Sequence, residues 1–186
     1  MIYYTSDLHF GHANCINFDH RPFKDTVEME EVLINNWNQT VTNNDSVYIL
    51  GDFSFRLKKD PGEVLTKLHG HKHLILGNHD YAIKSSELAL SCFESVDKMA
   101  YINDGEKLIL MCHFPIASWN KQHYGAYHFY GHIHAHRGEV YEFMKQTGQA
   151  FNVGCMINHY KPCTADEVIA NNLAFQINME HDTNYR

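Results

Sequence analysis

Five short strings carry the residue types that hold metal ions: Asp7-Leu8-His9, Gly51-Asp52, Gly77-Asn78-His79-Asp80, Cys112-His113 and Gly131-His132-Ile133-His134. Carboxylate oxygen, amide oxygen and imidazole nitrogen together suit divalent transition metals, which accept nitrogen as well as oxygen donors. One such string in a surface loop would be unremarkable. These five share a placement, because each comes just after an apolar run rich in β-branched, aliphatic or aromatic residues, at positions 2–5, 47–50, 74–76, 108–111 and 127–130. Two metals about 3.5–4 Å apart can share a water or hydroxide, lower its pKa and stabilise both the attacking and the leaving oxygen of a phosphoryl transfer. Such a pair needs a bridging carboxylate. Asp52, after a strand and a glycine that lets the backbone come close, is the natural bridge.

Strands are what must position these groups. Their C-terminal ends line one crevice of an open α/β sheet, so residues distant in sequence can meet there. Between the first strings, residues 26–43 carry Val27, Met29, Val32, Leu33, Ile34, Trp37 and Val41 at three- and four-residue spacings, which predicts an amphipathic helix capped by Thr26. Pro61, Val64, Leu65 and Leu68 before Gly70 outline a second helix, and residues 81–90 a third. Alternation of strand and helix through the first ninety residues or so is the βαβ pattern of a parallel sheet. From Lys98 onward, turn signals at Asn103-Asp104-Gly105, Gly138 and Gly148 predict hairpins and a second sheet. Residues 150–153 and 173–177 read as its closing strands, and residues 164–171 as a short helix with Thr164 and Glu167 forming its capping box. The polar end, residues 180–186, is expected to fray.

The chain has 186 residues, 44% hydrophobic and 20% charged, which suits one globular domain over 1–186. No apolar stretch reaches bilayer length, and residues 1–7 enter a strand with no room for a signal peptide, so the expected location is cytoplasmic, with no membrane partner. Five cysteines (Cys15, Cys92, Cys112, Cys155, Cys163) without a Cys-x-x-Cys pair argue against a disulfide framework and a thiolate zinc site. A formal charge of -7 disfavours nonspecific duplex binding. It leaves nucleic acid open as a substrate, since two metals can capture a phosphate without a basic patch.

In order, the strings spell Asp-x-His, Gly-Asp, Gly-Asn-His-Asp, His and Gly-His-x-His, and with this series the chain resembles the calcineurin-like metallophosphoesterase superfamily. The opening Asp7-Leu8-His9-Phe10-Gly11-His12, and Asn152-Val153-Gly154 followed by a turn at 160–162, are similar to its small single-domain bacterial and phage members. The resemblance implies an α/β fold, a four-layer αββα sandwich of two mixed β-sheets flanked by helices. It also implies a dinuclear phosphoesterase that hydrolyses a phosphodiester or phosphomonoester by attack of a metal-bridging hydroxide. By motif, Asp7, His9 and His134 hold one metal, Asn78, His113 and His132 the other, and Asp52 bridges them. His79 contacts the phosphate and protonates the leaving oxygen, oriented by Asp80. The cofactors are two divalent transition-metal ions, manganese foremost, with iron, zinc or nickel compatible.

The expected partner is a small phosphorylated or nucleotide substrate. With no large insertion to cap the crevice, a diester is placed ahead of a monoester. His12 and Asn14 follow the first string closely enough to reach a phosphate, or else lie in a solvated loop. Arg56 offers guanidinium geometry suited to a phosphate oxygen, or is solvated beside Lys58 and Lys59. His123, with Tyr124, lies in a loop able to overhang the crevice. His128 reads as structural and Trp37 as core, while Trp119 either stacks on a base or packs under its loop. A catalytically inactive binding or scaffold protein of the same fold, and a nuclease, are the alternatives.

Overall fold

A computed structural model of the protein describes residues 1–181. Its first sheet is wholly parallel, with β1 (Ile2–Thr5), β2 (Ser46–Ile49), β3 (His71–Ile75) and β4 (Phe93–Asp97) side by side in that order. The second is mixed: β5 (Met99–Asp104) pairs antiparallel with β6 (Lys107–Cys112), and β7 (Tyr127–Tyr130) and β8 (Ala150–Asn152) follow in parallel. The helices are α1 (Ala13–Phe18), α2 (Thr26–Thr40), α3 (Pro61–Leu65), α4 (Tyr81–Lys84), α5 (Glu87–Ser91), α6 (Glu139–Gln146) and α7 (Ala165–His181), with a 3₁₀ turn at Gln122–Tyr124.

The apolar runs are continuous because these strands are buried on both faces. Alternate residues of one strand serve two cores: Ile109 and Met111 face the first sheet, whereas Leu110 points outward. Between the sheets, Tyr4, Leu50 and Ile75 meet Ile109, Met111, Phe129 and Phe151, and the Tyr4 ring meets that of Phe129 edge-on with centroids 4.9 Å apart. Outside the first sheet, Met29, Leu33 and Trp37 of α2 and Val64 and Leu65 of α3 cover Val47, Ile49 and Leu74. Beyond the second, Met144 of α6 and Trp119 cover Leu110, Tyr130 and Ala150. Helix, sheet, sheet and helix thus form four layers. Among the described residues, no helix is long and apolar enough to cross a membrane, and the five cysteines are free thiols.

Several local expectations are corrected. Residues 173–177 are not a closing strand but part of α7, because the Thr164–Glu167 capping box starts a helix that no Gly or Pro interrupts through 177. The open edge of β8 is instead covered by Asn172, whose Oδ1 accepts the Asn152 N–H at 2.9 Å and whose Nδ2 donates to the Asn152 carbonyl at 2.8 Å. Gly138 and Gly148 bracket α6, not a hairpin, so β5–β6 is the one antiparallel pairing of the second sheet. β4, whose run is interrupted by Glu94 and Ser95, went unforeseen. Helix α2 is capped by Asp25, whose carboxylate accepts the N–H of Val27 and Glu28, not by Thr26, and it ends at Thr40. The third helix divides at Ser86, whose hydroxyl caps α5 by accepting the Ala89 N–H at 3.0 Å. The expected fraying over 180–186 falls at 182–186 outside the described residues, while 180–181 belong to α7.

Thr164→Ala removes the hydroxyl that accepts the Glu167 N–H. Loss of an N-cap costs about 1 kcal/mol, so the urea midpoint should fall with its slope unchanged.

Candidate metal centre

The strand ends present their side chains through an unusual backbone. Asp7 (φ 56°), His9 (54°), Asp52 (54°), His132 (69°) and His134 (52°) all adopt the left-handed region, which is uncommon for residues with a Cβ. Each such residue costs about 1–3 kcal/mol and persists where its surroundings over-determine it. Here the loops are interlaced: the Asp7 N–H donates to the Gly51 carbonyl at 3.1 Å, that of His9 to Asp52 at 3.0 Å and that of Gly131 to His113 at 2.9 Å. Gly51 is required by this crowding, since a Cβ there would lie 2.6 Å from Gly77 Cα and from His113 Nδ1.

Asp52 is nearly inaccessible and its two oxygens are used differently. Oδ1 accepts the His79 backbone N–H at 2.8 Å. Oδ2 lies 3.5 Å from His113 Nε2, 3.8 Å from His9 Nε2 and 4.0 Å from His79 Nε2. Two groups of donor atoms gather within 4.8 Å of one another, Asp7 with His9 and His134, and Asp7 with Asp52 and His113. The Asp7 carboxylate accepts from Ser6 Oγ at 2.8 Å and from the His132 N–H at 3.1 Å, and its Oδ1 lies 3.8 Å from His134 Nε2.

Hydrogen-bond partners assign the tautomers. His113 Nδ1 faces the Leu50 carbonyl at 2.7 Å and His134 Nδ1 faces the Asp19 carboxylate at 2.9 Å, so both Nδ1 atoms carry the proton and both Nε2 atoms turn a lone pair inward. His113 Nε2 then meets Asn78 Oδ1, another acceptor, at 3.1 Å, and His134 Nε2 meets His9 Nε2 at 3.0 Å. His113 Nε2 and Asn78 Oδ1, two acceptors that meet without a proton between them, are what a cation satisfies, so the donor set fits divalent metal. Burial, helped by the charges of His134 and Arg21, holds the His9 pKa down to about 2, keeping that imidazole neutral and available as a ligand. Burial raises the pKa of Asp7. For His134 burial acts downward, but the Asp19 hydrogen bond and the charges of Asp7 and Asp19 outweigh it and the net shift is upward.

Known proteins are similar to this chain in sequence or in structure. The uncharacterized protein MJ1445 of Methanocaldococcus jannaschii is 32% identical over 170 residues, 90% of this chain and 89% of its own. The Gene 66 protein of Mycobacterium phage L5 is 30% identical over 161 residues, 72% of this chain and 77% of its own. A crystal structure of AQ665, a protein of unknown function from Aquifex aeolicus, matches with a TM-score of 0.72 at 26% identity, over 90% of this chain and 97% of that one. No family model matches the chain. The chain belongs to one family with the archaeal and phage relatives.

Of the ligand set that the superfamily resemblance implies, the fold brings Asp7, His9, Asp52, Asn78, His113 and His134 together. His132 stands at the exposed side, its ring centroid 5.2 Å from that of His113. Asp80 is a correction. Its carboxylate accepts the N–H groups of Gly77 at 2.7 Å and of Asp52 and Phe53 at 3.0 Å, and no hydrogen bond joins it to the His79 ring. The tight turn folds Asp80 back under the Asp52 loop, where it ties the ends of β2 and β3 together. The ring beside His79 is Phe55, with centroids 4.5 Å apart.

His12 approaches the centre, its ring 5.3 Å from that of His9. Asn14 is exposed on α1, His123 is exposed in the 3₁₀ turn, and Arg56 is exposed with its guanidinium 5.2 Å from the Phe55 ring centroid. Among the described residues, none of these three hydrogen-bonds to the donor set. His128 is buried and bonded to the Ile116 N–H and the Leu110 carbonyl, and Trp119 is packed under its loop, donating to the Ala126 carbonyl.

Asp19 and Arg21 are the residues that sequence reasoning missed. Arg21 is buried and donates to Asp19 and to the carbonyls of Asp7 and Leu8, each at 3.0 Å, so it braces the loop that carries Asp7 and His9. Asp19 orients His134, in the way carboxylates behind metal-binding histidines do. No motif spacing marks either one.

Proposed function

We propose that the protein is a two-metal phosphoesterase acting on a small phosphorylated or nucleotide substrate, with a diester ahead of a monoester. The observation that carries this reading is Asp52 Oδ2, a buried carboxylate oxygen with His113, His9 and His79 Nε2 atoms around it at 3.5–4.0 Å. Asp7, His9 and His134 would hold one cation and Asn78, His113 and His132 the other, with Asp52 between them. Divalent ions bound there, manganese or else iron, zinc or nickel, would supply Lewis-acid charge to a phosphoryl group and acidify a water. Asp19 and Leu50 hold the ring protons of His134 and His113 on Nδ1, which keeps both Nε2 atoms free to donate lone pairs. His79, with about a third of its side chain exposed, stands at the open side of the centre, placed to give a proton to the departing oxygen. A cytoplasmic setting suits the free thiols.

Metal-stripped protein assayed with bis(p-nitrophenyl) phosphate and p-nitrophenyl phosphate, with and without each metal, tests the proposal. Turnover should require metal and favour the diester. His79→Ala should lower it by about 10²-fold or more with metal content unchanged, because the backbone N–H that anchors Asp52 remains. Two bound ions without turnover of either ester would overturn the enzyme and leave a binding protein. Cleavage of a single-stranded oligonucleotide in preference to both esters would identify a nuclease.

A further inference from the structure

Two phenylalanines stand exposed beside histidines of the centre, Phe114 by His113 and His132 and Phe18 by His134 and His12. Phe114, 44% exposed, lies edge-on to His132 and His113 with ring centroids 4.7 and 5.0 Å away. Phe18, 50% exposed, lies nearly parallel to His134 at 6.5 Å and edge-on to His12 at 5.6 Å. Phe55 stands between His79 and His12, at 4.5 and 4.6 Å. An exposed phenylalanine forgoes the gain of burying its ring. It has no polar atom with which to bind metal or phosphate. What Phe18 and Phe114 offer at this centre is a flat apolar face for whatever is attached to the phosphate.

We infer that Phe18 and Phe114 make the centre selective for phosphate esters carrying a planar aromatic group, either a simple aryl group or a nucleobase. The inference rests on the reading of the crevice as a phosphoester site. A phosphate held at the imidazoles has exposed apolar rings beside it, so an aromatic substituent gains stacking and edge contacts where an alkyl substituent of one carbon gains almost none. The formal charge of -7 gives a long polyanion no overall attraction, which favours selection through the ring.

Phosphonates test this without turnover, because their carbon–phosphorus bond is not an ester. Calorimetric titration of the manganese-loaded protein with phenylphosphonate, methylphosphonate and the phosphonate analogue of adenosine 5′-phosphate reads the preference directly. Phenylphosphonate should bind about 10-fold more tightly than methylphosphonate, the scale of one stacked ring. Phe18→Ala and Phe114→Ala should each shrink that ratio at unchanged metal content. Phe→Trp at either position should preserve it, and Phe→Leu should not. A further gain for the adenosine analogue points to a nucleobase, and equal binding of the two aromatic ligands to a simple aryl group.

Equal affinity for phenyl- and methylphosphonate, or no binding of either, overturns the inference. So does a ratio that survives both alanine variants. If the rings only pack against the ligating imidazoles, the variants will lose metal and weaken both phosphonates alike. Failure to hydrolyse esters while the phosphonate ratio holds would count against the phosphoesterase and leave the ring selectivity standing.

Discussion

Asp52→Asn should cut turnover by about 10³-fold or more, the scale on which a preorganised charge is lost from a reacting centre, while the protein keeps its fold. The substitution is nearly isosteric. Asn Oδ1 can still accept the His79 N–H that anchors Oδ1 of Asp52 at 2.8 Å, so the loops joining β2 and β3 stay in register. Only the other atom changes, from an anionic oxygen to an NH₂ group facing His113 Nε2 and His9 Nε2. The His113 Nε2 lone pair, 3.5 Å from that position, can accept from the amide, which is why the variant should fold. The same hydrogen bond occupies a lone pair that would ligate metal, and the anionic oxygen between the imidazoles is gone. Metal content should therefore fall along with activity, and metal analysis beside a thermal melt separates this outcome from unfolding. A variant that binds two ions per chain and turns over at the parental rate would remove Asp52 from the bridging position.

Much of this centre was legible because it follows a rule of position. Asp7, Asp52, Asn78, His113 and His132 each come one to three residues after an apolar run, and a buried strand can be recognised from its own residues. The layers outside the sheets were legible where apolar periodicity was long, as in α2, and failed where a run was short. Leu173–Ile177 had the apolar content of a strand, yet the helix begun at Thr164 continued through it, since helix propagation depends on what precedes a segment as much as on its composition. Asp80 was misread because adjacency in Asn-His-Asp suggests contact, whereas the turn sends neighbouring side chains in different directions. Asp19 and Arg21 were invisible for another reason. They act through contacts between loops, and nothing in the sequence near α1 indicates that His134 will lie against them. Phe18 and Phe114 likewise acquire their interest only from the histidines that the fold brings beside them.

The metal-free protein should lose stability steeply on acidification, and His9 and His128 set the direction. Burial depresses both pKa values, to about 2 for His9, where neighbouring cations add to the effect, and to about 4 for His128. In the unfolded chain each takes up a proton near pH 6.5. Below that pH the unfolded state binds more protons than the folded one, so stability falls as pH falls, until the folded-state pKa is reached. Each histidine contributes a slope of about 1.4 kcal/mol per pH unit, and by pH 5 the pair removes roughly 4 kcal/mol, a large part of an ordinary domain's stability. Two groups act the other way: burial raises the carboxyl pKa of Asp7 and Asp80, so the folded state takes up those protons first and recovers part of the loss. His134, shifted upward, is stabilising throughout the acid range and loses its contribution only as pH rises through its folded-state value. Urea midpoints at pH 7.5, 6 and 5 on chelator-treated protein measure the balance. His128→Gln, whose amide oxygen can accept the Ile116 N–H now bonded to Nε2, should flatten the slope between pH 6 and 5 by about half. A midpoint independent of pH over that range would mean that these two imidazoles are not held neutral by burial, and with it would go the account of His9 as a ligand kept free of its proton.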